Sequence, residues 1–359
     1  MPTADPADAT GLASAPLDFA GRPIPPAALS PMAQQLAQVM APSGPPSLTE
    51  SDPDHARPDD TADAHRRVEA ALDKQLFFIG SCSKSGSTWL QHLLDGHPQV
   101  RCHGEAFLAN QLRPLLAAVA AKHNKNIKCV KVSNRVQRSG DLAREDLNHL
   151  WRTAVGLIFD RWIDGDPNVL AVGDKTPENA AGAAALLETF PQAKLVHLIR
   201  DGRDVCVSGW FHNLRVKGDA FKQQFPTLAD YIPLMAGQKW APYIELARDA
   251  GRRWPDRFIE VRYEDLHAQG GAVMTALLAF LGVDADAESV ASCLSHGQFE
   301  QLSGGRGRGE EDRGHFYRKG QIGDWREHFD ERAAQAFDRC AGPMLRSLGY
   351  ADPAAHAAA

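Results

Sequence analysis

The feature that most constrains this chain is the run QLFFIGSCSKSGSTWLQHLLDGHP, residues 75 to 98. QLFFIGS (75 to 81) is a short apolar run without alternation, the pattern of a strand buried on both faces. TWLQHLLDGHP (88 to 98) carries apolar residues at helical spacing and stops before Pro98. Between them lies a loop of small, hydroxyl-bearing residues with one lysine. A loop that leaves the carboxyl end of a parallel strand and enters a helix presents free backbone N–H groups and the positive helix end. It is therefore a natural anion cradle.

The same alternation continues downstream. VLAVGDKTP (169 to 177) reads as a strand, ENAAGAAALLETFP (178 to 191) as a helix stopped by Pro191, KLVHLIRD (194 to 201) as a strand, and FIEVRYEDL (258 to 266) as a fourth strand running into a turn. Strands and helices in this order predict an α/β fold, a P-loop-like parallel β-sheet with helices on both faces. Residues 65–359 read as one domain. Residues 1–64 hold 12 of the 23 prolines with much Ala, Ser and Asp, and read as a mostly disordered tail in which Leu29 to Met40 could form a short helix.

The formal charge of −6 gives no general attraction to nucleic acid or to an anionic membrane, so an anion must be held by locally placed cations. The first residues carry no basic stretch followed by an apolar core, and the run AVMTALLAFLGV is far below the roughly 20 residues a membrane-spanning helix needs. A cytoplasmic protein is expected. Six cysteines without a CxxC pair fit scattered reduced thiols, Cys82 being a small filler of the loop, and no metal site is predicted.

The cradle is not a Walker loop. That pattern, GxxxxGK[ST], sets Lys after the second Gly, whereas Lys84 precedes Gly86. The acidic strand-end residues Asp174 and Asp201 each adjoin a cation, which argues against magnesium-dependent phosphoryl transfer. A kinase-like phosphotransferase with an unusual loop, or a catalytically silent nucleotide-binding protein, stays open on the loop alone.

Three motifs together resemble the sulfotransferases that use 3′-phosphoadenosine 5′-phosphosulfate (PAPS). KSGSTW resembles that family's 5′-phosphosulfate loop, PKSGTTW, with Ser83 and Ser87 as mild departures. LVHLIRDGRDVCVSGW resembles its 3′-phosphate motif through Arg200 and Ser208, and FYRKGQIGDW its RKGxxGDW through Arg318, Lys319 and Gly320. The resemblance implies PAPS as co-substrate, PAP as product, and no metal. It assigns Lys84, Ser85, Gly86, Ser87 and Thr88 to the 5′ side, with Lys84 stabilising the leaving phosphate. Arg200, Ser208, Arg318, Lys319 and Gly320 go to the 3′-phosphate, and Trp89, Tyr263 and Phe299 to the base; Gly297 and Gln298 depart from the family's TSF motif beside Phe299. The charged, Gly-rich stretch 303–315 reads as a lid or as a plain surface loop.

Sulfuryl transfer to a hydroxyl or amine also needs a base. Lys175 matches a family lysine aimed at the transferring group, its alternative being a salt bridge to Asp174 or Glu178. The cytosolic branch follows that lysine with a KTH histidine; here Pro177 stands in its place. DGHPQVRCHGEAF resembles instead the tyrosylprotein, Golgi-type branch, which makes Glu105 the candidate base, with a raised pKa expected from an apolar pocket. His103 is the alternative base, His97 reads as a helix-end cap, and Arg262 as a solvated neighbour. The acceptor, whether small molecule, peptide or carrier-bound, is not legible, and a homodimer stays open.

Overall fold

The computed structural model describes residues 61–134 and 140–350; the expected tail helix at Leu29 to Met40 lies outside them. Helix α1 (Thr61–Leu72) begins four residues ahead of the boundary expected for the tail. It leads into strand β1 (Gln75–Ser81), and a loop then enters α2 (Ser87–Asp95). The chain continues through β2 (Val100–Gly104), α3 (Arg113–Asn134), α4 (Arg144–Ile163), β3 (Ala171–Lys175) and α5 (Ala183–Thr189). Strand β4 (Lys194–Ile199), α6 (Gly202–Gln224), α7 (Ala241–Arg253) and β5 (Phe258–Arg262) follow, then α8 (Gly270–Leu281), α9 (Ala287–His296) and α10 (Glu331–Ser347).

The five strands form one sheet in the order β2-β3-β1-β4-β5, every neighbouring pair parallel. The pleat sends alternate side chains of β1 to opposite faces, and both faces are covered. Leu76 and Phe78 pack with Trp151, Phe159, Leu186 and Ala247 of α4, α5 and α7. Phe77 and Ile79 pack with Leu90, Leu93, Leu277 and Cys293 of α2, α8 and α9. This is why QLFFIGS shows no polar alternation. The expected α/β sheet with helices on both faces is the fold found.

Strand β1 is followed in sequence by β2 and β3 on one side and by β4 and β5 on the other. Its carboxyl end is therefore the switch point of the sheet, where the loops after β1, β3 and β4 diverge and leave a crevice. Gly80 is required there: a Cβ on it would lie 2.4 Å from the backbone nitrogen of Ala180.

Several boundaries differ from the sequence reading. Strand β2 was not anticipated, because it is a short edge strand that exposes His103 and Gly104 and shows little hydrophobic pattern. The helix expected over 178–191 is a 3₁₀ turn at Pro177–Ala180 followed by α5, and the strand expected over 258–266 ends at Arg262, where Tyr263–Ala268 turns helical. Within residues 210–250, Phe221, Tyr231, Trp240 and Ile244 pack with Phe337 as core. Cys82, Cys102, Cys206 and Cys293 are buried free thiols, and burial pushes that of Cys82 up to about 12, as suits an inert filler. Among the described residues no helix is long and apolar enough to cross a membrane.

Candidate active site

The loop after β1 reaches α2 through Gly86, whose φ of 97° lies in the left-handed region and on which a Cβ would come to 2.6 Å from the Tyr263 ring. No side chain caps α2, so the amides of its first turn stay open toward the crevice. Ser85 is buried and its hydroxyl has no protein partner, nor has Nε of buried Arg200. Unpaired buried donors beside an uncapped helix start are what an anion would satisfy, so the residues present fit a phosphate-type ligand.

Lys84 is in the left-handed region at φ 73°, and its ammonium lies 4.4 Å over the Phe316 ring. Burial, then the neighbouring Arg215 and Arg200, bring its pKa down to about 8. An anion in the crevice would relieve that crowding of cations.

On the β3 side, Lys175 is buried and donates to Glu105 Oε1 at 2.8 Å and to Thr88 Oγ1 at 3.3 Å. It therefore joins the candidate base to the first turn of α2. The salt bridge considered for Lys175 with Asp174 or Glu178 is not the one formed. Buried Asp174 instead accepts from Ala106 N, Thr176 Oγ1 and Asn179 Nδ2, while Glu105 N donates to Lys175 O at 3.1 Å. These bonds hold residues 105 and 107 at φ 57° and 51°, conformations uncommon for side-chain-bearing residues, and so fix where Glu105 stands. The apolar enclosure expected around Glu105 is absent: its side chain is 45% exposed. His103 stacks on Trp162 with ring centres 5.1 Å apart. His97 is buried; its N–H donates to the Leu94 carbonyl at the end of α2, while its ring bonds the Asp284 carbonyl and the Gln99 amide and so joins two loops. Arg262, read as solvated, donates to the Leu348 carbonyl and lies over Tyr350.

On the β4 side, Arg200 lies 4.3 Å over the Tyr263 ring, pairs with Asp204 at 3.5 Å one turn along α6, and donates to the carbonyls of Lys84 and Gln321. Asp204 is buried and accepts from the amides of Gly323 and Trp325 at 2.8 and 2.9 Å, which fastens the RKGQIGDW segment to the sheet edge. Arg318 pairs with Glu311 and Asp324, and Lys319 with Asp324 and Glu327. Asp324, Glu327 and His328 stand at metal-ligand spacing, but both carboxylates already face these two cations. Gly320, at φ 63°, lets its backbone meet the Phe299 ring, where a Cβ would come to 2.6 Å.

Trp89 donates to the Gly297 carbonyl and meets Tyr263 edge-on at 5.4 Å. Trp89 and Phe299 line one open cleft with Leu266 and His267, whereas Tyr263 is buried beneath Gly86. Lys84, Ser208, Phe211, His212, Arg215 and Arg318 line a second. Of the predicted residues, Trp89 and Phe299 line the first cleft and Lys84, Ser208 and Arg318 the second, while Lys175 ties Glu105 to Thr88 and Arg200 reaches the Lys84 carbonyl.

Sequence reasoning missed Asp204, His212 and His267. The available signal was helical spacing, since Asp204 lies four residues after Arg200 and His212 four after Ser208. Arg215 Nη2 faces His212 Nδ1 at 3.2 Å, and a guanidinium can only donate, so Nδ1 is the bare acceptor and Nε2 carries the proton. Burial, then Lys84, Arg215 and Lys217, hold this imidazole near a pKa of about 4, so at neutral pH it is an uncharged donor.

Asp204→Ala is expected to strip the Gly323 and Trp325 amides and buried Arg200 of their common acceptor, destabilising the fold by about 3 kcal/mol. Thermal unfolding and amide exchange check this, with residues 317–327 losing protection first; unchanged protection there would show that Asp204 is not the fastening.

The model of the sulfotransferase family matches residues 77–287. Similar relatives include a Drosophila melanogaster protein-tyrosine sulfotransferase, 28% identical over 62% of this chain and 41% of that protein, and protein-tyrosine sulfotransferase A of Caenorhabditis elegans, 28% identical over 58% and 50%. The aligned region thus spans about half the length of these relatives or less. A 3-beta-hydroxysteroid sulfotransferase of Cavia porcellus is 26% identical over 51% of this chain and 69% of its own. Among solved structures, mouse sulfotransferase SULT7A1 complexed with PAP is 16% identical, with a TM-score of 0.47 over 79% of this chain and 90% of that one. With the family model matched across more than half its length, from β1 to the start of α9, this chain belongs to the sulfotransferase family.

Proposed function

We propose that residues 65–359 form one catalytic unit that transfers a sulfuryl group from PAPS to a hydroxyl or amine, with Glu105 as general base. The observation that carries this reading is the contact of Glu105 with Lys175 and, through it, with Thr88 at the start of α2. A carboxylate, an ammonium and the uncapped start of α2 are thereby in contact, which supports a base, a cation and an anion cradle acting together. PAPS supplies an activated sulfuryl group whose bond to the 5′-phosphate breaks as the acceptor oxygen bonds to sulfur.

The chain's own residues do the rest. Lys84, Ser85, the amides of 86–88 and the Thr88 hydroxyl hold the 5′-phosphate, and Lys84 neutralises the charge that grows on it as it leaves. Arg200, Ser208, Arg318, Lys319 and the Gly320 amide take the 3′-phosphate, exchanging the carboxylate partners of Arg318 and Lys319 for it. Trp89 and Phe299 flank the base, with Tyr263 beneath. Lys175 holds the Glu105 carboxylate in an ion pair; when Lys175 turns to the sulfuryl oxygens, that carboxylate is released to accept the acceptor's proton. Small anionic charge on the transferring group lets these cations suffice without a metal. Stretch 303–315 closes the site as a lid.

The acceptor remains a class. Resemblance of the Glu105 region to tyrosylprotein sulfotransferases supports a phenolic hydroxyl, and a screen with labelled PAPS across phenols, peptides, sugars and aliphatic alcohols identifies it. With that acceptor, Glu105→Gln is expected to lower kcat at least a hundredfold, the upper part of the ordinary range for a general base, while PAP affinity stays unchanged. Near-normal turnover by Glu105→Gln, with His103→Asn inactive, would move the base to His103.

A pH dependence follows from Lys84. Its ammonium is charged below about 8 and loses its proton as pH rises through that value. PAP affinity should therefore weaken by about tenfold between pH 7 and 9, the worth of one charge-assisted contact. Titration calorimetry reads the change. Lys84→Met should abolish the pH step; a step that persists in this variant would belong to another group.

A further inference from the structure

Arg308 stands against both aromatic rings of the open cleft. Its guanidinium carbon lies 4.9 Å from the Trp89 ring centre and 5.7 Å from that of Phe299, and Nη1 lies 2.7 Å from Nε2 of His267. The same cleft is lined by Trp89, His267, Phe299 and Arg308. A planar ring stacked between two faces needs about 3.5 Å on each side, or about 7 Å in all. The distance from Arg308 to Trp89 is too small to admit one.

Arg308 is placed there by its own loop. Gly304, Gly305 and Gly309 at φ 76°, 96° and 94° bend the chain around it. Arg306 donates to the carbonyls of Glu310, Tyr317 and Arg318, and Gly309 N donates to Lys319 O. The loop is thus bonded to the RKG segment, and Phe299 packs on Gly320 of that segment. Among the described residues Arg308 has no carboxylate partner; its contacts are with ring faces and the imidazole of His267.

We propose that Arg308 is the resident occupant of the base slot and that the purine enters only by displacing it, so that this side chain sets nucleotide affinity. The proposal rests on the reading above, that Trp89 and Phe299 flank the base of PAPS. It also has an uncommon sign. An arginine near a bound polyanion ordinarily tightens binding, so its removal ordinarily weakens it. A competitor for the slot does the opposite.

The test is calorimetric titration of PAP and of adenosine, which carries the base without phosphates, into the wild-type protein, Arg308→Ala and Arg308→Lys. Arg308→Ala is expected to bind both ligands roughly fivefold more tightly, the equivalent of losing one cation–π contact. Arg308→Lys keeps the charge but not the planar stacking group and is expected to tighten both by a smaller factor; it also serves should the Ala variant fold poorly. Equal or weaker binding by the variants, with wild-type affinity for PAP intact, overturns the role of Arg308 alone. Absence of PAP binding by the wild-type protein overturns both this role and the reading on which it rests.

Discussion

Crowding of positive charge at the carboxyl edge of one parallel sheet is the constraint on which the rest depends. Lys84, Lys175, Arg200, Arg215, Arg318 and Lys319 converge there in a chain whose formal charge is −6. Buried or half-buried cations must find compensation, and each takes it differently. Lys175 leans on Glu105, Arg200 on Asp204, and Arg318 and Lys319 on Asp324. Burial and neighbouring cations lower the pKa of Lys84 to about 8 and that of His212 to about 4. The free protein is neutralised by its own carboxylates, and a polyanionic ligand would take their place.

This arrangement ties the fold to the chemistry. The same Asp204 that offsets Arg200 also fastens Gly323 and Trp325, and the same Asp174 that is buried behind Lys175 holds the turn carrying Glu105. Left-handed backbone at Lys84, Gly86, Glu105, Phe107 and Gly320 is gathered at this edge, where bonds from several elements over-determine it.

Much of this was legible in the sequence. β1 announced itself by an apolar run with no alternation, because period is a local property, and the order of Lys84 before Gly86 set the loop apart from a Walker loop. Arg200, Ser208 and the RKG triplet were legible through resemblance. What escaped depends on three-dimensional contact. β2 exposes part of its length and lacks a pattern; the partner of Lys175 is 70 residues away, at Glu105; and Arg308 reaches Trp89 and Phe299 through a glycine-rich loop whose path no local rule dictates. The expected desolvation of Glu105 failed for the same reason, since its environment is made by Lys175 and open crevice rather than by its sequence neighbours.

The most direct measurement compares PAP with adenosine 5′-monophosphate, which differs from it only by the 3′-phosphate. If Arg200, Ser208, Arg318, Lys319 and Gly320 form a site for that group, PAP binds about a hundredfold more tightly, as two charge-assisted contacts would give. Equal affinity for the two nucleotides would contradict the account.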